Sequence, residues 1–122
     1  MKVAEAKLGR TPAYFHAAMY STGRWIIEAA KAVNGHVEDK DKFLAGLRKA
    51  IETTEDPRGP MKLDEYSNPT QNVYILKVER VGGKLQNTVV QTYPMVSQFW
   101  TYSPQEFLKL PLYSRDYPPA RP

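Results

Sequence analysis

The chain has 122 residues, 42% hydrophobic and 25% charged, the composition of a folded domain rather than of a disordered segment. Its formal charge of +4 is scattered among acids, as in Glu38-Asp39-Lys40-Asp41-Lys42, so no basic stripe of the kind nucleic acid demands is present. There is no cysteine, which excludes disulfides, thiolate zinc sites and cysteine nucleophiles.

No apolar run is long enough to cross a membrane. The opening residues Met1-Lys2-Val3-Ala4-Glu5-Ala6-Lys7 lack the apolar core of a signal peptide. A chain with this start that works outside the cytoplasm is expected to be processed or truncated.

Residues 3–8 have helical composition and Gly9 closes them. Thr11-Pro12 is a helix start, with Thr11 able to cap and Pro12 suited to the first helical position. A long helix is predicted over residues 12–33. Its apolar positions Met19, Tyr20, Ile26, Ile27, Ala30 and Val33 recur at three- and four-residue spacing. Gly23 costs about 1 kcal/mol relative to Ala inside a helix, so a close neighbour is expected against it. Asn34-Gly35 ends the helix through a left-handed cap.

A second helix is predicted to begin after Asp39 or Asp41 and to run to about Thr53. Phe43, Leu44, Leu47, Ala50 and Ile51 form its apolar face, and Lys42, Arg48, Lys49 and Glu52 its wet face. Arg58-Gly59-Pro60 breaks any helix from upstream. Met61-Lys62-Leu63 reads as a short strand, and residues 64–68 as a turn built on Asp and Asn chemistry. Two longer strands follow, over residues 73–81 and 85–93. Gly82-Gly83 between them favours a two-residue hairpin. Tyr74, Leu76 and Val78 share one face of that hairpin, and Val73, Ile75, Lys77 and Glu79 the other, so one side should be the more buried. Ser103-Pro104-Gln105-Glu106 has capping-box spacing and should start a short helix through Leu110. From Pro111 onward an extended strap is expected. Phe99, Trp100, Tyr102, Phe107, Tyr113 and Tyr117 should lie along a protein surface.

Tyr14, Phe15, Met19 and Tyr20 cluster near a helix N-terminus, whose free N–H groups favour anions. Flat rings beside polar tips suit a small aromatic or carboxylated ligand. Core packing is the other reading, and for Tyr20 it is preferred. His16 is either ligand-facing or simply solvated, and neither His16 nor His36 has a second ligand at metal spacing. Asp64 and Glu65 are adjacent and point apart in extended structure, a poor acid/base pair. Ser21 and Thr22 lack a glycine elbow and triad partners. No residue set carries an enzyme argument, and no cofactor is implied.

The pieces GRTPAYFHAAMYSTGRWIIEAAKAVNG, FLAGLRKAIETT, RGPMKLDEYSNP and QNVYILKVERVGGKLQNTVVQTYP, in this order, resemble the closing portion of type I periplasmic solute-binding proteins of the branched-chain amino-acid family. The ending VSQFWTYSPQEFLKLPLYSRDYPP looks like a subgroup thought to take aromatic acids. The resemblance implies an α/β fold of two lobes that close on a solute and deliver it to an ABC permease from the periplasm. An isolated portion would be α+β. It also implies one partial domain: residues 1–70 as the helical part of one lobe, 71–93 as a hairpin crossing to the other, and 94–122 as a tail strap. Phe15 falls where that family sets an aromatic ring against its ligand, five residues before Tyr20, and Tyr14 and His16 come with it as neighbours. The family's acidic residue after that tyrosine is replaced here by Ser21. Apolar faces normally covered by the missing parts imply self-association of the chain alone. The rival expectation is a free-standing α+β interaction module with an aromatic docking tail.

Overall fold

The computed structural model describes residues 2–110. The expected strap and the rings of Tyr113 and Tyr117 lie outside the described residues.

Three helices come first: α1 (Lys2–Leu8), α2 (Tyr14–Ala32) and α3 (Lys40–Thr53). A three-stranded antiparallel sheet follows, β1 (Met61–Leu63), β2 (Pro69–Val81) and β3 (Lys84–Val96), in the order β1-β2-β3. A single helical turn, α4 (Pro104–Phe107), comes last. This mixture of helices and an antiparallel sheet is an α+β architecture.

The helix ends follow from local chemistry, with one change from the sequence expectation. Thr11 does not cap. Its hydroxyl donates to Glu5 Oε1 at 3.2 Å, the helix begins after Pro12, and Ala13 becomes the N-cap residue. Ala13 has no side-chain acceptor, and His16 supplies one: its Nδ1 accepts from the Ala13 N–H at 3.1 Å. At the other end Asn34 (φ 51°) and Gly35 (φ 81°) are left-handed. Their N–H groups donate to Lys31 O (3.0 Å) and Ala30 O (2.9 Å), the two bonds of a Schellman cap. Asp39 caps α3, its carboxylate accepting from the Lys42 N–H at 3.2 Å.

The core is small. Trp25, Ala50, Ile51 and Met61 form it, with Leu47 and Leu63 packed alongside. On α2 the buried positions are Ser21, Trp25 and Ala29, one residue every four. The apolar positions expected to face inward, Met19, Tyr20, Ile26 and Ile27, are exposed instead. The reason is close packing of small residues. A Cβ at Gly46 on α3 would stand 3.4 Å from the Ala29 carbonyl oxygen and 3.5 Å from the Ala32 Cβ, so the helices approach closely there and α2 turns the face of Ser21, Trp25 and Ala29 inward. The close approach expected at Gly23 is absent: a Cβ there would meet nothing within 4 Å. On α3, Leu44 is also exposed, and Arg48 is half-buried rather than on a wet face.

Arg48 fastens α3 to the turn after β1. Its guanidinium donates to the Asp64 carbonyl (2.9 Å) and to Ser67 Oγ (2.8 Å). Asp64 organises that turn, its Oδ1 accepting from the N–H groups of Tyr66 (2.9 Å) and Asn68 (2.8 Å). Its Oδ2 accepts from Gln98 at 2.7 Å, which draws the residues after β3 back onto the turn. Phe99 is buried there, edge-on to Tyr66 (ring centroids 5.6 Å apart) and to Phe107 (5.5 Å). At α4 the capping box does not form. The Ser103 hydroxyl donates to Gln105 Oε1, and the helix proper stops at Phe107.

The hairpin is longer than expected and barely covered. β1 pairs only with Pro69–Gln71 of β2. Beyond that the two strands run out as an arm to the Gly82-Gly83 turn, both glycines left-handed (φ 56° and 80°) as a type I′ turn requires. Neither face is buried: Ile75, Leu76, Val78, Leu85 and Val89 are all exposed. Two bulges lie on β3. Val90 is an extra residue between the pairs Ile75–Gln91 and Leu76–Val89, and a second bulge at Pro94 and Met95 faces Asn72. The Asn72 side-chain Oδ1 fills that gap by accepting from the Met95 N–H at 3.1 Å.

The whole chain exposes 10027 Å². A compact monomer of its 13.9 kDa exposes about 6,700 Å². Residues beyond 110 can supply at most about 1,500 Å² of that difference, so about 1,800 Å² of excess surface belongs to the described part.

Candidate functional site

The start of α2 collects the site residues expected from sequence, and the fold divides them. Adjacent helical positions point about 100° apart, so Tyr14, Phe15 and His16 cannot all face one cavity. Phe15 and His16 look toward α1. Tyr14 looks toward the segment before β1.

Between α1 and α2 lies a cleft of about 670 Å³, lined among others by Val3, Lys7, His16, Tyr20, Arg24 and Glu55. Beside it runs a shallower trough of about 460 Å³, formed by Ala4, Lys7, Leu8, Phe15, His16 and Met19. Lys7 and His16 border both, so the two hollows are continuous. The trough is almost wholly apolar and Phe15, its widest side chain, is 77% exposed. Arg24 is steadied by donating to the Glu55 carbonyl at 3.4 Å. The cleft therefore brings Lys7 and Arg24, with Glu55, beside a largely apolar lining, an arrangement that can take a small polar ligand with a flat apolar body. His16 has its Nδ1 engaged by the Ala13 N–H, which leaves Nε2 as the nitrogen that can carry a proton toward a ligand.

Tyr14 belongs to a different cluster, centred on Asp56 and Arg58. The Asp56 side chain is 1% exposed and the Arg58 side chain 16%. Arg58 binds the carboxylate with Nε to Oδ1 at 3.0 Å, a terminal nitrogen to Oδ2 at 2.8 Å, and its own backbone N–H to Oδ1 at 2.7 Å. The guanidinium carbon lies 5.7 Å from the centre of the Tyr14 ring and 5.6 Å from that of Trp25, so the cation is held near two aromatic rings. Burial pushes the Asp56 carboxyl upward. The bonds from the Arg58 guanidinium, the Arg58 N–H and the Ser21 hydroxyl outweigh burial and hold its pKa below the usual carboxylate value. The Ser21 hydroxyl also lies 3.0 Å from the Ala17 carbonyl, to which it can donate. The Trp25 Nε1–H is buried without a partner among the described residues.

The segment is fixed from the sheet side as well. The Tyr74 hydroxyl donates to the Arg58 carbonyl at 2.8 Å and accepts from Asn72 at 3.1 Å. Gly59 adopts φ 100°, and a Cβ there would stand 2.5 Å from the Tyr74 oxygen. Only glycine fits this crossing.

Asp56, Arg58, Trp25 and Tyr74 were not among the candidate site residues read from sequence. The spacing Asp-Pro-Arg-Gly carries the one local signal, an aspartate two residues before an N–H it can accept from. The partners from α2 and β2 are distant in sequence and leave no such mark. His36 lies apart from His16 and contacts Glu38 at 3.1 Å. Among the described residues no group of three or more His, Asp or Glu side chains is placed to hold a metal ion. No described helix is long and apolar enough to cross a membrane.

Set against known protein families, curated proteins and solved structures, the chain finds no match.

Proposed function

We propose that the chain is the closing portion of a periplasmic type I solute-binding receptor, which takes up a small carboxylate and delivers it to an ABC permease. The solute class is an aromatic acid or a branched-chain amino acid. The observation that carries this reading is the set of exposed apolar side chains on α2 and on the β2–β3 arm, in a chain whose described part has about 1,800 Å² more total surface than a compact body. A receptor of two lobes accounts for both parts of it. The outer face of α2, with Ile26 and Ile27, would meet the rest of its own lobe, and the arm would reach across to the other.

In this reading Phe15 and His16 form one wall of the solute cavity, with Lys7 and Arg24 supplying positive charge beside it. Tyr14 acts indirectly, by fixing the first turn of α2 against Arg58. The chain's part in the work is binding and closure. The aromatic residues Phe99 and Phe107 pack on their own chain, which supports a receptor over a module with a free docking tail.

The test is calorimetric titration of the full-length gene product with benzoate and with leucine. Saturable binding of either is expected, and Phe15→Ala should weaken it by about 1.5–3 kcal/mol, the worth of burying a Phe side chain. Binding that Phe15→Ala leaves unchanged removes this ring from the cavity. No binding of either solute refutes the assignment.

A further inference from the structure

Among the described residues the arm leaves β3 as an open sheet edge, because β2 pairs with it on one side only. A two-stranded hairpin is marginally stable by itself in water. Proteins guard such edges with charge or proline. β2 carries Lys77, Glu79 and Arg80, but after Lys84 the sequence has no charged residue until Glu106. The stretch from Leu85 to Val89, between the turn and the Val90 bulge, is therefore open, regular and neutral.

The direction of its free bonds follows from the turn. In a two-residue hairpin the residues flanking the turn, here Val81 and Lys84, bond each other. Alternation then turns the N–H and C=O of Gln86 and Thr88 inward to β2. Those of Leu85, Asn87 and Val89 face outward, unpaired. These three residues also share one side-chain face. Their partners across the arm on that face are Arg80, Val78 and Leu76.

We infer that this edge is the contact between two copies of the chain, β3 against β3, antiparallel and centred on Asn87. In that register Leu85 of each copy meets Val89 of the other, and Asn87 meets its own counterpart. Every outward N–H and C=O of the three residues gains a partner. Apolar meets apolar, and no like charges oppose. Shifting the register by one residue turns inward-bonding positions to the edge and loses the match. The contact is isologous, so it closes at two copies. The result is a four-stranded sheet, β2-β3-β3-β2, in which the two exposed Leu76, Val78, Leu85 and Val89 faces become one.

This inference rests on the arm alone and not on the receptor reading. A second lobe would compete for the same edge, so the assay uses the 122-residue chain. Sedimentation velocity across a wide concentration range should show a monomer–dimer equilibrium. Asn87→Lys places two lysines directly opposite and should weaken the dimer by up to about fivefold. Asn87→Glu should do the same, because two carboxylates then face each other. An equimolar mixture of the two variants should dimerise at least as well as the unaltered chain, since Lys then faces Glu. A misfolded variant could not be rescued in this way. A monomeric unaltered chain, assemblies that grow past the dimer, substitutions without effect, or a mixture that fails to pair would each overturn the proposal.

Discussion

Arg58→Met separates charge from packing in the Asp56 cluster. Met keeps much of the apolar stem between Tyr14 and Trp25 and removes the guanidinium. The Asp56 carboxylate, 1% exposed, then loses two of its bonds. Breaking a buried pair by removing one partner costs about 3–5 kcal/mol. Here the lower end applies, because the residue-58 N–H still donates and Ser21 is still in reach. The expected loss is about 3 kcal/mol at pH 7, which lowers Tm by roughly 10 °C. Urea denaturation followed by circular dichroism reads it.

The pH dependence gives the refutation. The Asp56 pKa is lowered on folding, so its pairing stabilises above the unfolded carboxyl value near 4 and is lost as pH falls through the lower folded value. Once protonated, the carboxyl no longer needs a cation, and the penalty of Arg58→Met should shrink between pH 5 and pH 3. A penalty that stays constant over that range, or one below about 1 kcal/mol at pH 7, would refute the claim that a buried charge organises this segment.

Two further predictions concern its neighbours. Gly59→Ala should destabilise by at least about 1–3 kcal/mol, the scale of a strained left-handed backbone, with added conflict at the Tyr74 hydroxyl. Adding Tyr74→Phe should recover part of that loss in a thermal melt, and no recovery would show that the hydroxyl is not the obstacle. Asp64 is pushed up by desolvation, but bonds from the Asn68 N–H, the Gln98 side chain and the Tyr66 N–H prevail and lower its pKa. Its contribution is present above the unfolded value and fades as pH falls through the folded one. Asp64→Asn should therefore weaken the near-ultraviolet dichroism of the Tyr66–Phe99 pair at pH 7, and the difference from the unaltered chain should narrow in acid.

Much of the backbone was legible from sequence because its causes are local. The Asn34-Gly35 stop, the Asp39 cap, the Asp64 turn and the Gly82-Gly83 hairpin each rest on bonds or dihedrals within a few residues. The start of α2 was misplaced for a related reason. Cap rules put Thr11 first, while His16, four residues into the segment, supplies the acceptor. The candidate site was legible only in part. Sequence grouped Tyr14, Phe15 and His16 by proximity along the chain. The helical turn gives Phe15 and His16 to the hollows beside α1 and Tyr14 to Arg58.

The sequence by itself determined which segments are helix and strand and where the chain turns, since those choices are made by neighbours in the chain. Tertiary structure alone decided which helix face is buried. Periodicity marks an apolar stripe on α2, but the buried face is Ser21, Trp25 and Ala29, and the helices come closest where Ala29 and Ala32 meet Gly46 and small side chains let two backbones approach. It also decided that Asp56 is buried with Arg58 between two rings, and that the hairpin stands uncovered. Burial depends on what is close in space, and residues 14, 25, 58 and 74 become neighbours only when the chain has folded.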